Sequence, residues 1–163
     1  MKHCIFFVLT AAILAMVGSL AFAAGSDTIT VNYEVQAINE INIDDASVTL
    51  TITAATPGVD PTQVTDNTTY DITTNCAADA KKLTAELNSD MPAGLTLKIN
   101  MTAPTGATSP GAVTLAQAPV SALTAIDGVS EANINIEFSL DATAEAGVVG
   151  AANKTCTLTI TAS

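Results

Sequence analysis

Residues 28–38 read TITVNYEVQAI, and their alternation is unbroken. Ile29, Val31, Tyr33, Val35 and Ala37 fall on one side of an extended chain. Thr28, Thr30, Asn32, Glu34 and Gln36 fall on the other, because successive strand side chains point to opposite faces of a sheet. A strand of this regularity calls for a partner. The same two-residue period governs most of the patterned sequence downstream, and this decides the fold class.

Val48, Leu50 and Ile52 alternate with threonines and predict a strand. The segment AATPGVDPTQVTDNTT then breaks the pattern with Pro57, Gly58 and Pro61. Tyr70, Ile72, Thr74 and Cys76 share the next inward face. Leu83, Ala85 and Leu87 mark a short strand. NSDMPAG at 88–94 turns the chain into LTLKINM, whose Leu95, Leu97, Ile99 and Met101 point one way, and the two runs read as a hairpin with a long loop. Between Thr102 and Glu131 the signal weakens to a possible strand at Val113 and Leu115 and to VSALTAI, an edge strand or a helical turn. Ile134, Ile136, Phe138 and Leu140 restore the alternation. The chain closes with TCTLTITAS, where Cys156, Leu158 and Ile160 share one face. About seven to nine short strands separated by turn residues predict an all-β, antiparallel sandwich. The many alanines do not repeat at helical spacing, so no long helix is expected.

Upstream of this pattern, Lys2 and His3 precede a mostly apolar run from Ile5 to Leu20, and Ala21-Phe22-Ala23 forms a small-x-small site. This is the layout of a cleaved signal peptide covering residues 1–23, leaving a single domain over 24–163 that is secreted or displayed at the cell surface. No second apolar run follows, so no membrane association is expected after cleavage. The full chain carries five lysines, no arginine and sixteen acidic residues, for a formal charge of −11. Loss of Lys2 with the leader makes it one unit more negative. A basic face for phosphate contacts is lacking, which argues against nucleic acid as a partner.

The inventory for chemistry is equally sparse. The only histidine is His3, in the leader. General acid–base catalysis at neutral pH draws on histidine or on a buried carboxylate, and the carboxylates lie in apparent loops. The many Ser and Thr hydroxyls have no base to activate them. The densest acidic group, DPTQVTDN at 60–67, lacks the fixed spacing of a calcium loop and reads as a solvated loop. Three Asn-x-Thr triplets, at Asn67, Asn100 and Asn153, are ordinary in a Thr-rich chain. The expectation is a non-enzymatic protein without metal or cofactor. Cys76 and Cys156 are the two cysteines past the leader, and an even pair in an oxidising compartment predicts a disulfide between them.

The alternating TITVNYEVQAI just after the leader, the sandwich-like body, the Ala146-Gly147 loop and the terminal TLTIT strand together resemble bacterial fimbrial subunits of the chaperone–usher type, particularly the alternate and archaic kinds. That resemblance implies an Ig-like sandwich missing one strand, completed by the N-terminal segment of the next subunit. By position it makes Ile29, Val31, Tyr33 and Val35 the donor side chains, and sets Leu158 and Ile160 along the acceptor groove. It implies copies of the chain or related subunits as partners, and a periplasmic chaperone. The alternative expectation is a self-contained Ig-like module, an extracellular or cell-envelope binding domain complete as a monomer. Strand bookkeeping separates the two.

Overall fold

A computed structural model describes residues 25–76 and 79–163; the expected leader lies outside them. Contacts divide the chain after Glu34, and the body runs from Val35 to Ser163. Its described residues form eight strands: β1 (Asn39–Ile43), β2 (Val64–Thr74), β3 (Lys81–Leu87), β4 (Leu95–Met101), β5 (Val113–Thr114), β6 (Val120–Ile126), β7 (Val129–Ala142) and β8 (Cys156–Ala162). They form two antiparallel sheets, β1-β2-β7-β4-β5 and β6-β3-β8. The all-β sandwich expected from the alternation is the architecture observed. The only helical element among the described residues is a single 3-10 turn at Ala144–Ala146, and no helix among them is long and apolar enough to cross a membrane.

The inward faces follow the sequence period. Tyr70 and Ile72 of β2, Leu83, Ala85 and Leu87 of β3, Ile99 and Met101 of β4, and Ile134 and Ile136 of β7 are buried in one apolar core shared by both sheets. β2 and β7 form the longest ladder, and its register shifts between Tyr70 and Ile72. There Asn133 adopts a positive φ of 57°, and its N–H donates to Asp71 Oδ1 at 2.9 Å. An extra β7 residue is thereby accommodated as a bulge, with an asparagine in the left-handed region that this residue type tolerates.

Three sequence expectations are corrected. The first concerns LTLKINM, which does not form a hairpin with the preceding run: β3 pairs with β6 and β8, while β4 pairs with β7 and β5. Residues 88–94 cross from one sheet to the other, and period alone cannot distinguish a crossing from a turn. The second concerns Val48–Ile52, which keeps its alternation, with Val48, Leu50 and Ile52 half-buried between exposed threonines, yet belongs to no strand. The third concerns the cysteines, both of which are free thiols. Cys156 opens β8 opposite Leu87, whereas Lys81 pairs with Ala162 at the far end of that ladder. Cys76 lies at the far end as well: Thr74 Oγ1 donates to Asp127 O at 2.6 Å, and Ile126 pairs with Lys81. Most of the length of β8 therefore separates the two residues, and a disulfide needs Cα atoms within about 7 Å. Shared parity placed both on inward faces but carried no information about position along the strands.

Candidate functional site

β8 is an edge strand, bonded on one side to β3 and unpaired on the other among the described residues. The bond from Asn88 N–H to Thr155 O, 3.0 Å, fixes the phase of the β3–β8 ladder. Antiparallel alternation then turns the main-chain groups of Thr157 and Thr159 toward β3, and those of Cys156, Leu158 and Ile160 toward the free edge. An edge of this kind is a template for another strand.

Beside that edge the two sheets part to form a cleft of about 810 Å³. Its floor is apolar, built from Leu97 of β4 and Ile136, Phe138 and Leu140 of β7. One rim is Cys156 and Leu158 of β8; the other is Val48 and Leu50, from the extended segment that joins no sheet. That segment is held by side-chain bonds in place of a ladder. Thr49 N–H donates to Asp66 Oδ2 at 2.7 Å, and Asp45 N–H to Thr68 Oγ1 at 3.2 Å. The slot is thus bounded by two extended stretches that lack a strand partner on the cleft side among the described residues.

Of the two residues that the resemblance sets along an acceptor groove, Leu158 lines this cleft. Ile160 lies beyond its lining, half-buried against the core. The floor residues Leu97, Phe138 and Leu140 were not singled out by sequence reasoning. Their inward parity was legible, but their incomplete cover depends on the separation of the sheets. Burial, and secondarily the charge of Glu86, pushes the Cys156 thiol up to about 11. No group of three His, Cys, Asp or Glu side chains among the described residues is arranged to hold a metal ion.

Residues 28–38, the other half of the expected pairing, form no strand. Ile29, Val31, Tyr33 and Val35 are 88%, 71%, 92% and 78% exposed. At the root of this extension Asn75 acts as a clasp. Its Oδ1 accepts from Ile38 N–H at 2.7 Å, its Nδ2 donates to Gln36 O at 2.7 Å, and its own N–H donates to Ile38 O at 3.2 Å. Residues 36–38 are thereby fixed at the end of the sandwich where β1 begins opposite Thr74. Compared with known proteins, the chain matches no family model, no curated protein and no solved structure.

Proposed function

We propose that this chain is a secreted structural subunit that polymerises by donating the segment 28–38, held at its root by Asn75, to the cleft and free edge of another copy. One observation carries the reading: among the described residues the same chain has an unpaired edge beside a cleft with an apolar floor and an exposed extension whose apolar side chains alternate. The extension supplies main-chain groups to those of Cys156, Leu158 and Ile160, and its apolar face enters between the sheets. Each of its four large apolar side chains contributes about 1.5–3 kcal/mol if fully buried. Association itself costs about 4–15 kcal/mol, so most of the contacts must form together. The layout agrees with the resemblance to fimbrial subunits, whose assembly by strand donation supplies the biological setting: a surface filament, with a chaperone to cover the cleft before assembly.

Val31→Asp tests this in the purified exported protein. A charge buried without a partner is costly. The expected result is folded monomers, with wild-type circular dichroism and melting, that form no filaments by electron microscopy under conditions in which the wild type does. Unfolding of the mutant monomer would place the strand in its own sheet. A wild type that stays monomeric at all concentrations supports the self-contained module instead.

A further inference from the structure

The two cysteines lie at opposite ends of the sandwich, and each marks a feature of the assembly. Cys76 sits at the root of the extension: its Sγ is 3.8 Å from the Asn75 Oδ1 that accepts the Ile38 N–H. Cys156 is the first residue of β8 and lines the cleft at the end near Leu87. We infer that Cys76 of one subunit and Cys156 of the next form a disulfide that locks the donated strand into the filament. The inference rests on the strand-donation reading above.

The polarity of insertion decides whether the thiols meet. Every strand pairing in both sheets is antiparallel, and antiparallel pairing is slightly the more stable per residue. A strand laid antiparallel to β8 has its residue 28 end beside Ala162 and its root beside Cys156. A parallel strand would put the root beside Ala162, six residues along β8, or roughly 20 Å away. Space favours the same choice. The acceptor's own extension leaves from the Ala162 end, where Asn75 clasps residues 36–38. A neighbour's body docked there would compete with it. Docking at the Leu87 end gives a head-to-tail contact, with the donor's Cys76 next to the acceptor's Cys156.

The chemistry is thiol–disulfide exchange with a small disulfide, RSSR, of an oxidising exported compartment. The Cys76 thiolate attacks RSSR, forming Cys76–S–S–R and releasing one RS⁻. The neighbour's Cys156 thiolate then attacks the Cys76 sulfur, forming the inter-subunit bond and releasing a second RS⁻. The two protons lost by the cysteines leave RSSR as two RSH. Because burial holds Cys156 protonated, the second step is slow until assembly brings the sulfurs together.

The test is to treat the assembled full-length protein with oxidised glutathione, quench with an alkylating agent, and run denaturing gels without reductant beside electron micrographs. The expected result is a ladder of covalent multimers that collapses to monomer with reductant. Cys76→Ser and Cys156→Ser should each abolish the ladder while leaving filaments, and an equimolar mixture of the two single mutants should yield covalent dimers and nothing larger. Val31→Asp should remove ladder and filaments together. Filaments that run as monomers on the non-reducing gel overturn the disulfide and leave strand donation standing, whether the thiols stay free or close within one chain. A ladder that persists in Val31→Asp shows random cross-linking and also overturns it. If the wild type forms no filaments, both readings fall.

Discussion

The hydroxyl of Tyr70, at the centre of the core, donates to the carbonyl of Thr102 at 2.7 Å. Burial, and then the charge of Glu131, raises its pKa, so the phenol stays a donor throughout the ordinary pH range. Tyr70→Phe would leave the Thr102 carbonyl without this donor and should cost about 1–3 kcal/mol, read as a lower urea midpoint with an unchanged slope. Cys156 supplies a test on the pH axis. Its thiol is raised from an ordinary value of 9.0 to about 11, chiefly by burial. Above pH 9 the unfolded chain releases this proton while the folded chain retains it, so stability falls as pH rises from about 9 through about 11. Cys156→Ser should flatten that part of the profile relative to wild type. Tyr70 contributes a loss of the same sign at higher pH in both proteins, so the difference between the two melting curves isolates the thiol. The inward parity of residues such as Ile72, Leu83 and Ile136 was legible in the sequence because a strand's side chains alternate regardless of its neighbours. The disulfide expectation failed because parity is blind to position along the axis.

At the scale of elements, the alternation of Val48–Ile52 promised a strand, and the described residues do not form it. The pattern records the tendency to lie extended with one face covered; a ladder also requires a partner at the right distance, which local sequence does not encode. The hairpin expected across residues 88–94 failed similarly, since a chain leaving one sheet for the other carries the same turn residues as one reversing beside itself. The cleft was legible only in outline. Leu158 follows from the terminal strand, whereas Val48, Phe138 and Leu140 become rim and floor through the parting of the sheets. The free edge makes a measurable difference between states. In the monomer, amide exchange at Cys156, Leu158 and Ile160 should be fast relative to Thr157 and Thr159, whose groups face β3. In filaments all five should be protected, and equal protection in the monomer would show the edge to be already paired.

For the whole molecule, the relevant feature is that residues 36–38 leave from one end of the sandwich while Cys156 and the cleft mouth lie toward the other. Head-to-tail contacts between unlike surfaces, repeated, give an open chain wherever the rotation between neighbours does not close a ring. The full chain carries a formal charge of −11 and is one unit more negative without its leader, so subunits of the proposed filament would repel at long range, and cohesion would have to come from the inserted strand. On the strand-donation proposal such a chain would have two chemically different tips, one displaying an open cleft and the other an undonated strand. A subunit lacking residues 25–35 is then a chain stopper. It accepts the strand at one tip and offers none in return, so fibre length measured by electron microscopy should shorten as its mole fraction rises, while the free peptide TITVNYEVQAI should arrest growth at the opposite tip. A fibre built by the proposed strand donation would in this respect be a step-growth polymer whose two functional groups are separately titratable, and its length distribution would report the stoichiometry of the mixture.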